Sequence, residues 1–444
     1  MFAHGSFLLH TLTLTLPLTT TAYAHPPQQV LGNNNNNNKH HAPPVPGFVA
    51  LGDSYSAGIG TPIPGPKENN CRQGTGAYPF LLARDLLPNT TTHNNNNTTS
   101  PFQWLSCTGS LTTDVLSSPS PSTSPSQIDS FTTHPHPPTF ATLSIGGNDL
   151  GFFDVLNACI FRFYSFYSGT CTAALAAADA AIRSPDFDLR LVLVLREILD
   201  KVQWEKHPDF TITVTGYARF FSEETVACDE VSLGVWWGGA GVVRGPKLTR
   251  ELRRRINELV VAANEKIRRT VEGVNGAFKG MERVVFVDFD DEFEGHRFCE
   301  GGVEEPDYGR EETWFFLPGG GDSGEGKGAP DPPPKDGEWE GEGWLEEGSE
   351  LVDADSCLER AERGGDWGER ALCYMAVVKD RFPEEKLMWE DKEERLKGEE
   401  VSIMWRAPTY YGKTFHPRSK AHEAIRDKIY DVWQQHGINL GPRV

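Results

Sequence analysis

The chain has no excess of positive charge, no paired-cysteine metal motif, no internal repeat, and no long apolar run beyond its first residues. Each absence closes off a class of function. With 42 Lys and Arg against 62 Asp and Glu the net charge is −20, so no basic surface exists to meet a phosphate backbone and nucleic acid is not an expected partner. Past the N-terminus no stretch approaches the ~18 apolar residues that a membrane-spanning helix needs, and no transmembrane span is expected. None of the eight cysteines stands in a C-x-x-C pair or near histidines at zinc-finger spacing, which speaks against a structural metal. Without a repeat, a solenoid is excluded.

What is present suits a secreted globular protein. The apolar fraction of 38% and aromatic fraction of 11% can fill a sizeable core. Almost all the negative charge sits in residues 301–400, which hold 30 acidic against 12 basic residues. The acidic run at 338–400 reads as a solvated face, and it lacks the loop spacing of a calcium-binding EF-hand. Phe7-Leu8-Leu9 opens an apolar, threonine-rich stretch ending in Ala22-Tyr23-Ala24, a small-x-small cleavage pattern, although no Lys or Arg precedes it. Residues 1–24 are therefore expected to be a signal peptide. The eight cysteines, Cys71, Cys107, Cys159, Cys171, Cys228, Cys299, Cys357 and Cys373, form an even set, as disulfides in an oxidising compartment require. Sequence alone leaves their pairing open. Asn89, Asn96 and Asn97 head glycosylation triplets.

Residues 25–46, with an Asn run and Pro43, Pro44 and Pro46, read as a flexible segment. Phe48-Val49-Ala50-Leu51 is a short buried-strand pattern that runs into Gly52-Asp53-Ser54. Further strands are expected at Phe140–Ile145, Thr211–Thr215 and Val284–Asp288, and helices at 77–87, 246–272 and 419–435. Residues 89–100 and 117–138 are too polar for core elements. Short apolar strands alternating with helices imply a mostly parallel sheet covered on both faces. An acidic low-complexity insertion at about 302–400 interrupts this rhythm. It can be a lid, a tether or a tolerated insertion. Its later part is expected to form a helical hairpin around Cys357 and Cys373.

A serine just past a buried parallel strand stands where α/β folds place their sites. Ser54 meets that condition, although a serine there can also simply cap a helix. Three further segments decide between the readings. Phe48-Val-Ala-Leu-Gly-Asp-Ser-Tyr-Ser-Ala-Gly resembles the first block of the SGNH, or GDSL-type, hydrolases, in particular their extracellular esterase and lipase branch. Cys107-Thr108-Gly109-Ser110, Gly146-Gly147-Asn148-Asp149 and Phe415-His416-Pro417 are similar to the remaining blocks, in the right order. The resemblance covers about 48–300 and 406–435.

The resemblance implies a flavodoxin-like three-layer α/β/α sandwich spanning 47–444 and an ester hydrolase without cofactor or metal. It implies Ser54 as nucleophile, His416 as its base, and an oxyanion hole from the Ser54 amide, the Gly109 amide and the Asn148 side chain. The family usually carries an aspartate three residues before the histidine; here that position is Lys413, whose side chain accepts no hydrogen bond. Some members of the branch use a main-chain carbonyl instead, so the Lys413 carbonyl is expected to take the Nδ1 proton of His416. Asp288, Asp290 and Asp291 are the alternative acids. The same resemblance suggests Cys71–Cys107, Cys159–Cys171 and Cys228–Cys299 bridges, with Cys357–Cys373 left over. The expected substrate is a small-molecule, lipid or acylated-carbohydrate ester, acted on by a monomer. A polysaccharide deacetylase and a non-catalytic secreted binding protein are the competing functions. His422 reads as a terminal-helix residue. Trp236-Trp237 and Trp314-Phe315-Phe316 read as core rather than as pocket walls.

Overall fold

The computed structural model describes residues 47–87, 101–134, 137–161, 171–233, 246–278, 282–307, 310–317, 320–322 and 409–438. The expected signal peptide and lead-in, the glycosylation triplets, Trp236-Trp237, and the Cys357 and Cys373 pair lie outside these residues.

Five parallel strands form one sheet: β1 (Gly47–Gly52), β2 (Phe102–Trp104), β3 (Pro138–Ser144), β4 (Thr211–Thr215) and β5 (Val284–Val287), in the order β2-β1-β3-β4-β5. All six residues of β1 are buried, because a central parallel strand is covered on both faces and has no solvent side to alternate with. Helices Cys171–Arg183, Pro185–Lys201 and Arg250–Asn275 pack on one another, and Tyr78–Leu86 packs on Ser419–Gln435. These two sets form the outer layers of a three-layer α/β/α sandwich. Trp433 of the terminal helix reaches the sheet, donating from Nε1 to Thr213 Oγ1 at 2.8 Å and meeting the Phe140 ring edge-on.

The long helix shows why its sequence is helical. Ile256, Leu259, Val260, Ala263, Ile267, Val271 and Val274 recur at three- and four-residue spacing and are all buried. Each large aliphatic so buried contributes ~1.5–3 kcal/mol relative to exposure. The opposite face carries the ion pairs Arg254–Glu258 and Arg268–Glu272, each four residues apart.

The strand order turns back between β2 and β3, on either side of β1. The carboxyl ends of β1 and β3 therefore border a crevice, the place where doubly wound sheets bind ligands. Ser54 follows β1 and Asn148 follows β3. The backbones must come close there: a Cβ on Gly52, at φ 127°, would lie 2.1 Å from the Ser144 carbonyl oxygen. Only glycine fits.

Two boundaries differ from the sequence reading. Residues 117–138 are not all outside the core, because Ser126 caps a short Gln127–Ser130 helix and buries Gln127, Ile128 and Phe131. The Gln127 amide makes two hydrogen bonds with the backbone of Gly52, at 2.7 and 2.9 Å. Likewise the segment assigned to an insertion from 302 starts inside the domain: Phe315, Phe316 and Leu317 are fully buried. The acidic residues around it placed that short apolar run inside the insertion, although its aromatics already read as core.

Candidate active site

The turn after β1 places Ser54, the expected nucleophile. Asp53 is extended and caps the one-turn helix Ser54–Ala57 by accepting the Tyr55 amide, and Gly58 closes it in the left-handed region. This presents Ser54 at the helix start, 5% exposed. His416 arrives from the far end of the chain, and its Nε2 lies 2.6 Å from Ser54 Oγ across a separation of 362 residues. That distance is within reach of direct proton transfer.

The imidazole is held by main chain. Its Nδ1 faces the Thr414 carbonyl at 3.2 Å. The expected acceptor, the Lys413 carbonyl, instead takes the His416 backbone N–H at 2.8 Å. The difference follows from Phe415, which adopts φ 64° and turns the loop so that residue 414 faces the ring. Burial pushes His416 down to about 4, while the Thr414 and Lys413 carbonyls favour its charged form. Lys413 itself is buried, with its ammonium 4.9 Å from the centre of the Phe316 ring, and burial lowers it to about 8. Asp290 pairs with Arg219 and Arg297, Asp291 pairs with Lys428, and the Asp288 carboxylate accepts the Asp290 amide. None of these three contacts His416.

The loop bearing His416 is pinned by residues 314–317. Phe316 N–H donates to the His416 carbonyl and Phe415 N–H to the Phe316 carbonyl, both at 3.0 Å, and Arg418 N–H donates to Trp314 at 2.7 Å. Phe315 pairs with Pro417 as an antiparallel bridge. The Trp314-Phe315-Phe316 cluster thus belongs to the core, as its composition suggested, and supports the loop that carries His416. His422 lies in the terminal helix and is fully buried.

The expected oxyanion donors are placed as follows. Asn148 Nδ2 gives one hydrogen to the Ser110 carbonyl at 3.0 Å, which fixes the amide and leaves its second hydrogen available. Gly109, at φ 88°, sits in the turn before Ser110. The Cys71–Cys107 bridge ties this turn to the loop after the nucleophile. The Cys159–Cys171 bridge closes the segment after Asn148, and Cys228–Cys299 joins two loops further off.

A cavity of ≈ 70 Å³ opens on Ser54, Asn148 and His416. Its walls are mainly apolar and include Phe152, Phe153, Leu156, Tyr217 and Phe220. Gly109 is not among the lining residues. Phe152, Phe153 and Leu156 share the short helix that follows Asn148, so three- and four-residue spacing aims them at one place. The sequence reading did not assign this wall, nor Asp53 and Tyr217. The Asp53 carboxylate, 1% exposed, accepts from Tyr55 N and Ser144 Oγ at 3.1 Å each and from Tyr217 Oη at 2.6 Å. Burial raises it to about 7 against the pull of these donors.

A profile of the GDSL-like Lipase/Acylhydrolase family matches residues 50–301. The chain is 31% identical over 175 residues to Lipase 1 of Streptomyces coelicolor, which covers 39% of this chain and 53% of that one. It therefore spans about half the length of that relative. It is 29% identical over 254 residues to a lipase of Streptomyces rimosus, covering 57% and 74% respectively. Among solved structures, phospholipase A1 from Streptomyces albidoflavus is similar at 26% identity and a TM-score of 0.39, covering 61% of this chain and 86% of that one. The extracellular lipase of Streptomyces rimosus gives 24% identity and a TM-score of 0.39, covering 59% and 89%. The family match begins on the strand that delivers Ser54 and takes in more than half of the sequence, so the chain belongs to the GDSL-like Lipase/Acylhydrolase family.

Proposed function

We propose that the protein is a secreted carboxylic ester hydrolase working through an acyl-enzyme intermediate. The single observation that carries this is the 2.6 Å approach of His416 Nε2 to Ser54 Oγ at the mouth of an apolar cavity.

Ser54 is a weak nucleophile until a base removes its proton. His416 takes it as Oγ attacks the ester carbonyl carbon. The Ser54 and Gly109 amides and the Asn148 side chain receive the oxyanion, a term that can supply several kcal/mol. The tetrahedral species collapses, the carbonyl–alkoxy bond breaks, and His416 returns its proton to the departing alcohol. Water then repeats the sequence on the acyl-serine, releasing the acid and restoring both residues. The positive imidazole formed midway is favoured by the Thr414 carbonyl rather than by a carboxylate. The acyl group would lie against Phe152, Phe153, Leu156 and Phe220. Secretion belongs to the same proposal, supported by the three disulfides.

Hydrolysis of p-nitrophenyl esters from acetyl to palmitoyl, by wild type and Ser54→Ala side by side, tests the proposal. Turnover lost in the variant is the expected result. No turnover and no fluorophosphonate labelling by folded wild type would overturn it.

A further inference from the structure

Three neighbouring strands end at the site, and one side chain bridges their tips. Tyr217 stands two residues past β4 and is 6% exposed. Its hydroxyl donates to Asp53 Oδ2 at 2.6 Å and accepts the Gly147 N–H at 2.9 Å. Asp53 directly precedes the nucleophile, and Gly147 directly precedes the oxyanion donor Asn148. The phenol is itself fixed at both ends of its residue. Asn264 of the long helix accepts the Tyr217 N–H at 2.8 Å and donates to its carbonyl at 2.7 Å. The Tyr55 ring meets the Tyr217 ring edge-on at 5.0 Å and passes its own hydroxyl to the Phe415 carbonyl at 3.2 Å, beside His416.

We infer that Tyr217 is a positioning residue whose hydroxyl sets the Asn148 donor against the Ser54 turn, through Gly147 on one side and Asp53 on the other. The inference rests on the proposed ester hydrolysis and adds a member to its machinery. Hydrogen-bond chemistry makes the bridge directional. A phenol has one proton; it goes to Asp53 Oδ2, which leaves the oxygen lone pairs for the Gly147 amide. A phenylalanine would fill the same space but hold neither group. The Gly147 loop would then be free to shift relative to Ser54, and oxyanion donors act only when preorganised around the position the charge will occupy. The role of Asp53 follows as well: it orients Tyr217 in addition to capping the nucleophile turn.

The test is a double-mutant cycle of Tyr217→Phe and Asn148→Ala, read by kcat and KM on one p-nitrophenyl ester and by fluorophosphonate labelling rate. Tyr217→Phe alone should lower kcat by about 10- to 100-fold, the scale of an ångström misplacement, with KM little changed. On the Asn148→Ala background the same substitution should cost little more, because the donor it positions is already gone. Wild-type kcat in folded Tyr217→Phe, or losses that simply multiply in the double variant, would overturn the inference while leaving the esterase reading intact. A raised KM with a lowered kcat, with the cycle additive, would mark only a pocket wall and overturn it too. If Tyr217→Phe does not fold, Asp53→Asn weakens the bridge from its other end at constant volume and goes through the same cycle, with the same criteria. A wild type that neither turns over nor labels removes both readings together.

Discussion

The Thr414 carbonyl faces His416 Nδ1 at 3.2 Å, two residues back along the same loop. Orientation of the base is thus a property of backbone shape, fixed by the left-handed Phe415 and the strap at 314–317. The side chain at the family's usual acid position, Lys413, lies instead over Phe316.

A first prediction follows for Lys413. Lys413→Met keeps an apolar stem of similar length over Phe316 and leaves every main-chain contact of His416 in place. Most of the activity should survive, measured as kcat/KM on a short ester. A collapse of kcat in folded protein would assign orientation of the base to the lysine side chain.

The second prediction concerns pH. His416 must be neutral to accept the Ser54 proton, and burial holds it at about 4. Activity is lost as pH falls through that value, so the acid limb of kcat/KM should lie well below the ordinary histidine value of about 6.5. An acid limb centred near 6.5 would place the base in water, contrary to the geometry.

Phe152 sets a third expectation. Truncation to Ala enlarges the cavity that opens on Ser54. The chain-length optimum should move to longer acyl groups, with each methylene newly buried adding about 0.8 kcal/mol, roughly fourfold in kcat/KM. An unchanged chain-length profile would remove Phe152 from the acyl wall.

The fourth concerns stability rather than rate. His422 is fully buried, its Nε2 has no hydrogen-bond partner among the described residues, and burial pushes it to about 3. Between pH 6.5 and that value the unfolded chain binds a proton at this residue that the folded chain does not, so stability falls as the solution is acidified. His422→Leu should flatten this slope, seen in denaturant midpoints at pH 7 and pH 4.5. The raised Asp53 contributes in the opposite direction, but equally in both proteins, and cancels in the comparison. Equal slopes would show that His422 is reachable by solvent.

The fold was legible where composition mirrors burial. Phe48-Val49-Ala50-Leu51 announced β1 because both its faces are covered, and the terminal helix Ser419–Gln435 lies where a helix was expected. The β2 strand escaped because three residues at a sheet edge carry no periodicity. The Pro185–Lys201 helix carries a readable stripe, Phe187, Leu191, Val194, Leu195 and Ile198, behind a Ser184 cap. Its signal lay in the sequence unread. The site divides the same way. Ser54, Asn148 and His416 stand in local motifs, whereas the Thr414 carbonyl and the Tyr217 hydroxyl gain their roles only when distant strand ends and loops meet. A carbonyl has no residue type to recognise, and nothing beside Tyr217 in sequence marks it as a neighbour of Gly147.

Phe316 and Phe415 are hydrogen-bonded neighbours although nearly a hundred residues separate them. The domain therefore closes on itself before and after that long stretch, as a clasp closes around whatever hangs from it. Bringing two points of a chain together costs only about 0.6 kcal/mol more for each doubling of the span between them. Once the clasp holds, the intervening chain can grow, shrink or change composition with little demand on the base it brackets. Shortened versions that keep both halves of the clasp should retain the geometry of His416.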